Sequence, residues 1–202
     1  VWPTIKNSGM TAALEQLDPR MLEAFGAADF VTPAGYLDGQ LYALMLPLVL
    51  AGMAIAAVAA LTAGDEEAGR LELVASLPLS RRRLLLTRLT AVGLVLVGLG
   101  VATVLSVLAM RQPFELEIPV GRLVEATAGC MVLAAFHGAV VYAAAGIGVG
   151  RAACLGIGVT VLLAGYVADF LFPLSDRLED LQQLSPWWWA IGTKPLGQGI
   201  DG

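Results

Sequence analysis

Residues 64–88 read GDEEAGRLELVASLPLSRRRLLLTR, and this stretch decides the fold. It holds nine of the chain's charges within 25 residues, between two charge-free apolar runs at 41–63 and 89–110. A polar hairpin between two bilayer-length runs is a short loop on one membrane face.

The rest of the chain repeats the pattern. Its 202 residues are 57% hydrophobic and 14% charged, with mean hydropathy +0.76. A soluble domain carries about 25% charged residues. The apolar residues gather near 41–63, 89–110, 126–150 and 152–168, the last extended past Asp169 by 170–174. A helix needs roughly 20 such residues to cross a hydrocarbon core about 30 Å thick. These runs are apolar all round rather than on one stripe, which argues against the alternative, a soluble bundle with very apolar core helices. The expected fold is therefore all-α, a polytopic bundle with spans about 41–63, 84–110, 123–149 and 152–172.

Between the runs the sequence supplies its own punctuation. Ser8, Asp18-Pro19 and Thr32-Pro33 are helix starts, so residues 1–40 hold short helices. Tyr36 and Tyr42 fall where an interfacial aromatic belt would lie. Pro47 removes a backbone bond inside the first span and predicts a kink. Gly93, Gly98 and Gly100 would let a neighbouring backbone come close, and Gly146 and Gly150 form a GxxxG pair. The short turn around 148–152 makes the last two spans antiparallel neighbours. Trp187, Trp188 and Trp189 suit the headgroup layer. Cys130 and Cys154 fall near opposite membrane faces, too far apart to bridge, and read as inert buried thiols.

Orientation follows from Lys and Arg in the short loops. Arg70, Arg81, Arg82, Arg83, Arg88 and Arg151 lie on one side; Arg111, Arg122 and Arg177 lie on the other. The excess puts 64–88 in the cytoplasm and both 1–40 and 174–202 outside. No basic start followed by a short apolar core and a cleavage site is visible. The expectation is then a unit of six spans, with one further span on each side of the four.

Asp65, Glu66 and Glu67 open a short helix, where negative charge is favoured. Pro78 ends that helix, and Ser80 can cap the next, whose first turns carry Arg81–Arg83 and Arg88. Arginines at a span end reach water or anionic headgroups. Two readings fit: an amphipathic connector lying on the membrane, or a docking helix for a cytoplasmic partner.

The stretch resembles the cytoplasmic signature of exporter-type (ABC-2-like) ABC-transporter permeases. In that family an acidic pair precedes Gly, then Leu-Glu, an apolar stretch, Pro, a small residue and Arg. Glu66, Glu67, Gly69, Leu71, Glu72, Leu73, Pro78, Ser80 and Arg81 match it here. Leu184-Ser185-Pro186, Lys194-Pro195-Leu196 and Gly199 are similar to the outer segment of actinobacterial multidrug and polyketide-antibiotic exporters. The resemblance covers most of the chain, although the triple Trp departs from a looser aromatic pattern. It implies that the four runs are spans two to five of a six-span unit, and that 64–83 is a coupling loop contacting a separate ATP-binding subunit. Docking would fall to Glu66, Glu67, Gly69, Leu71, Glu72, Leu73, Leu77 and Arg81. A second permease unit, in the same chain or as a dimer, would complete a pathway for a hydrophobic cargo.

No nucleotide-binding signature, metal-ligand set or catalytic constellation is present, and no cofactor or nucleic acid is implied. One histidine, two distant cysteines and no His-Glu-x-x-His argue against a membrane enzyme. His137 lies mid-span, either as a polar residue of the pathway or as a histidine bonded to a neighbouring helix. Asp169, near an outer end, can reach water. A multi-span channel or scaffold without an ATPase partner is the alternative function.

Overall fold

A computed structural model describes residues 37–70, 80–114, 118–172, 183 and 185–191. These residues form helices and turns, with no strand among them. Four helices are long and apolar enough to cross a membrane: α1 (Asp38–Glu67), α2 (Arg81–Phe114), α3 (Val120–Gly146) and α4 (Arg151–Leu171). A short helix, α5, covers Pro186–Ile191. The expected all-α polytopic bundle is what the chain builds. The short helices expected in 1–36 lie outside the described residues.

In the bundle α3 is the hub. It touches every other helix, most extensively α1. The most apolar windows of α1 and α3 are each 44% buried, against 17% for α2 and α4. Small residues set the spacing at the junction of α1, α3 and α4. A Cβ on Gly158 would lie 2.7 Å from both Ile55 and Val141, so only glycine lets the three helices meet there. The other expected small-residue contacts fare differently. Gly100 faces Met131 of α3, but Gly93, Gly98 and Gly146 have open space around them. The Gly146–Gly150 pair is therefore not a helix–helix contact.

The α3–α4 turn is built by backbone geometry. Gly148 sits at φ +83°, with its N–H on the Ala145 carbonyl at 3.0 Å and the Val149 N–H on the Ala144 carbonyl at 3.3 Å. Together these form a Schellman stop, which requires a left-handed residue and so favours glycine. Ser80 caps α2 as expected, its Oγ accepting from the Arg83 N–H at 3.3 Å.

The aromatic side chains divide by burial. Tyr42 is fully buried, turned toward α3. Its hydroxyl meets Thr127 Oγ1 at 3.1 Å. Thr127 spends its proton on the Leu123 carbonyl at 2.7 Å, so Tyr42 is the donor. A buried phenol finds a partner of this kind in preference to leaving its O–H unsatisfied. The tryptophans also divide: Trp187 is 2% exposed, whereas Trp189 is 67% exposed.

Trp187 packs beside Tyr166 of α4, with ring centroids 5.3 Å apart. Ser185 fixes that placement. Its Oγ donates to the Gly165 carbonyl at 3.1 Å and accepts from the Trp187 N–H at 3.2 Å. Across the groove, a Cβ on Gly129 of α3 would overlap the Ala190 carbonyl oxygen. The α5 helix is thus wedged between α3 and α4.

Pro47 acts locally. The first turns of α1, Asp38–Met45, are π-helical, with the Leu46 N–H on the Leu41 carbonyl. In that i→i−5 register the donor due to the Tyr42 carbonyl would come from Pro47, which has none. The Cys130 thiol of α3 stands 3.8 Å from that carbonyl and offers a weak substitute. Both cysteines are free and buried, as expected.

Candidate functional site

The acidic end of α1 carries charged contacts to two other helices. Gly69, at φ +68°, accepts the chain's turn away from the helix, its N–H bonding the Glu66 carbonyl at 3.0 Å. Just before it, Asp65 is flanked by two guanidiniums. Arg70 Nε approaches Oδ1 at 2.7 Å, and Arg88 of α2 approaches Oδ2 at 2.7 Å. The Asp65 and Arg88 side chains are each only 14% exposed, whereas Arg70 is 61% exposed. Screening weakens the Arg70 contact far more than the Arg88 contact. Arg88 also donates through Nη1 to the Leu61 carbonyl, so one guanidinium binds both a side chain and the backbone of α1.

Glu67 reaches the opposite way. Its Oε1 accepts the backbone N–H of Arg151, the first residue of α4, at 2.7 Å. The N-cap position of α4 is Gly150, which has no side chain to offer. Glu67 supplies the missing oxygen from another helix, where the N-terminal partial positive charge favours a carboxylate. A Cβ on Gly150 would lie 2.8 Å from that oxygen and push it away. Gly64 is bare for a related reason: the Arg151 stem passes 3.1 Å from where its Cβ would be. Two successive turns of α1 therefore clasp α2 and α4.

The predicted docking residues divide. Glu66 is exposed, Glu67 faces α4, and Gly69 ends α1. Arg81 opens α2. Leu71, Glu72, Leu73 and Leu77 lie outside the described residues. The clasp residues Asp65, Arg88 and Arg151 were not singled out by the sequence as a set. Asp65 and Arg88 are far apart in the chain, and no helical spacing pairs them.

His137 sits on the inner face of α3, fully buried. Its Nδ1 donates to the Leu133 carbonyl of its own helix at 2.8 Å, not to a neighbouring helix. A carbonyl only accepts, so the proton is on Nδ1 and Nε2 is a lone-pair acceptor. Nε2 has no hydrogen-bond partner among the described residues. Phe136 stands edge-on to the ring at 5.3 Å. The residue lies about 14 Å along the axis from the Gly146 end of α3. Asp169 is half-buried near the far end of α4. No group of three or more possible metal ligands occurs among the described residues.

A family model described as ABC-2 family transporter protein matches residues 6–182. No curated protein and no solved structure matches the chain.

Proposed function

Because this chain belongs to the ABC-2 transporter family, we propose that it is the membrane permease of an ATP-driven exporter that moves a hydrophobic compound outward. Membership makes it a multi-pass membrane component of an ABC transporter, which works with an ATP-binding subunit. ATP hydrolysis belongs to that subunit, and a second permease unit completes the pathway. The 64–83 loop faces the cytoplasm, and 1–40 and 174–202 lie outside.

One observation carries the mechanical part: the end of α1 is bonded to α2 through Asp65–Arg88 and to α4 through Glu67–Arg151. A push on the loop just beyond Gly69 reaches two further spans without crossing a soft linker. Glu66, Leu71, Glu72, Leu73, Leu77 and Arg81 present the docking surface, and Gly69 sets its exit direction. Glu67 belongs to the coupling as an internal contact. His137 supplies a polar acceptor within the bundle, along the route of the cargo.

Co-purification of the full-length permease with its ATP-binding subunit tests this assignment. Glu72→Arg and Leu73→Asp should each remove the subunit from the complex, while the permease itself stays folded and in the membrane. Full recovery with both variants, or a label at Glu66 reacting from outside intact cells, overturns it.

A further inference from the structure

We propose that Arg82 and Arg83 form, at the foot of α2, a site for the phosphate of an anionic phospholipid. The site requires only that α2 crosses a bilayer, not that the chain transports anything. A shallow open groove of about 340 Å³ runs there, lined by Ser80, Arg82, Arg83, Leu86, Thr87 and Thr90. Both arginines are exposed. Nearby Arg70 and Arg88 share Asp65, but Arg82 and Arg83 have no carboxylate partner among the described residues. Among the described side chains of the hairpin, Arg70 and Arg88 are thus compensated and Arg82 and Arg83 are not.

The hydroxyls divide in a way that fits an anion at one end of the groove. Thr87 donates to the Arg83 carbonyl at 2.8 Å and Thr90 to the Thr87 carbonyl at 2.9 Å, so neither has a proton left to give. Ser80 accepts from the Arg83 N–H, and among the described residues its own proton has no acceptor. The donors are therefore two guanidiniums and one hydroxyl, all within the first turn of α2. Guanidinium forks match phosphate oxygens in geometry as well as charge.

The remainder of the same helix face favours a lipid over a soluble anion. Arg83, Thr87, Thr90, Leu94, Val97, Val101 and Leu105 recur at steps of three and four, which places them on one side of α2. Leu94 is 72% exposed and Leu105 60% exposed, so among the described residues this side carries no protein neighbour over most of its length. From Leu94 to Leu105 the helix rises about 16 Å, close to half of a hydrocarbon core about 30 Å thick. A cationic foot, a hydroxyl band and an apolar wall of one-leaflet length match headgroup, glycerol region and acyl chain in order.

The test is native mass spectrometry of the full-length protein released from nanodiscs of mixed phosphatidylglycerol and phosphatidylcholine. Wild type should retain phosphatidylglycerol preferentially. Arg82→Gln with Arg83→Gln should lower that preference by about 5-fold per arginine. Arg82→Lys with Arg83→Lys keeps the charge but loses the fork, and should keep an intermediate preference, above that of the glutamine pair, which separates a lost site from a damaged fold. Unchanged preference in the glutamine pair overturns the site. So does displacement by excess inorganic phosphate with no discrimination between the two lipids, which would make it a free-anion site. Loss of the ATP-binding subunit from the glutamine pair, with lipid preference intact, would make these arginines a protein contact instead.

Discussion

Charged contacts fasten one end of the bundle, and buried neutral contacts contribute at the other. At the end bearing Gly69 and the 147–150 turn, the fasteners are charges: Asp65 with Arg88, and Glu67 on the start of α4. Toward the other end the contacts include neutral ones: Tyr42 on Thr127, Ser185 on Gly165, and Trp187 packed beside Tyr166. The exposed Arg70 contact can exchange partners with solvent and ions at modest cost, and the Asp65–Arg88 contact less readily. Neutral hydrogen bonds inside a low-dielectric bundle have no such substitute, and breaking one strands a buried polar group. The difference teaches where rearrangement is cheap. At the charged end the exposed Arg70 contact is the one most easily remade, while the buried neutral contacts hold their geometry.

The largest test of that contrast is Gly129→Val. The new side chain overlaps the Ala190 carbonyl and must expel α5, at a cost of about 3 kcal/mol. Thermal unfolding in detergent should show the loss at any salt concentration, with Trp187 fluorescence shifting to a wetter environment. A variant that unfolds like wild type would mean that α5 is not wedged at Gly129.

Asp65→Asn comes next. It removes the charge shared by Arg70 and Arg88, with an expected loss of about 2 kcal/mol. Unlike Gly129→Val, its deficit relative to wild type should shrink as salt rises, because salt already screens the wild-type pair. Unfolding midpoints across a salt series read this directly, and a salt-independent deficit would move the clasp into the class of buried neutral contacts. The smallest effect belongs to Glu67→Gln. The amide oxygen still accepts the Arg151 N–H, so only the charge–dipole part is lost, about 0.5 kcal/mol. Hydrogen exchange at the first turn of α4 should rise slightly, with the rest of the bundle unchanged. A large global loss would show that Glu67 bears more than a cap.

Legibility in the sequence divides along the same line. Four apolar runs of bilayer length are a one-dimensional signal, and they located all four spanning helices. Ser80 as a cap and the short turn before α4 were equally local, and both are present. The faces of the helices were not legible. A span that is apolar all round has no stripe to mark its inner side, so nothing in 41–63 announced that Tyr42 turns toward Thr127. Trp187 and Trp189 are chemically identical, and only a groove between two distant glycines separates their fates. The clasp at the charged end joins residues from three helices, and its geometry exists only once they have assembled.

The wedge of α5 also constrains how the bundle can move. Helices α3 and α4 are joined by a tight turn at one end and have α5 packed against both of them toward the other. Two rods secured at both ends cannot scissor, so this pair travels as a single plate. The freedom that remains belongs to α2, which touches the plate along one flank and is moored to α1 by the salt link at its base. Any alternation between inward and outward shapes would then be a swing of that lone mast against a stiff hull.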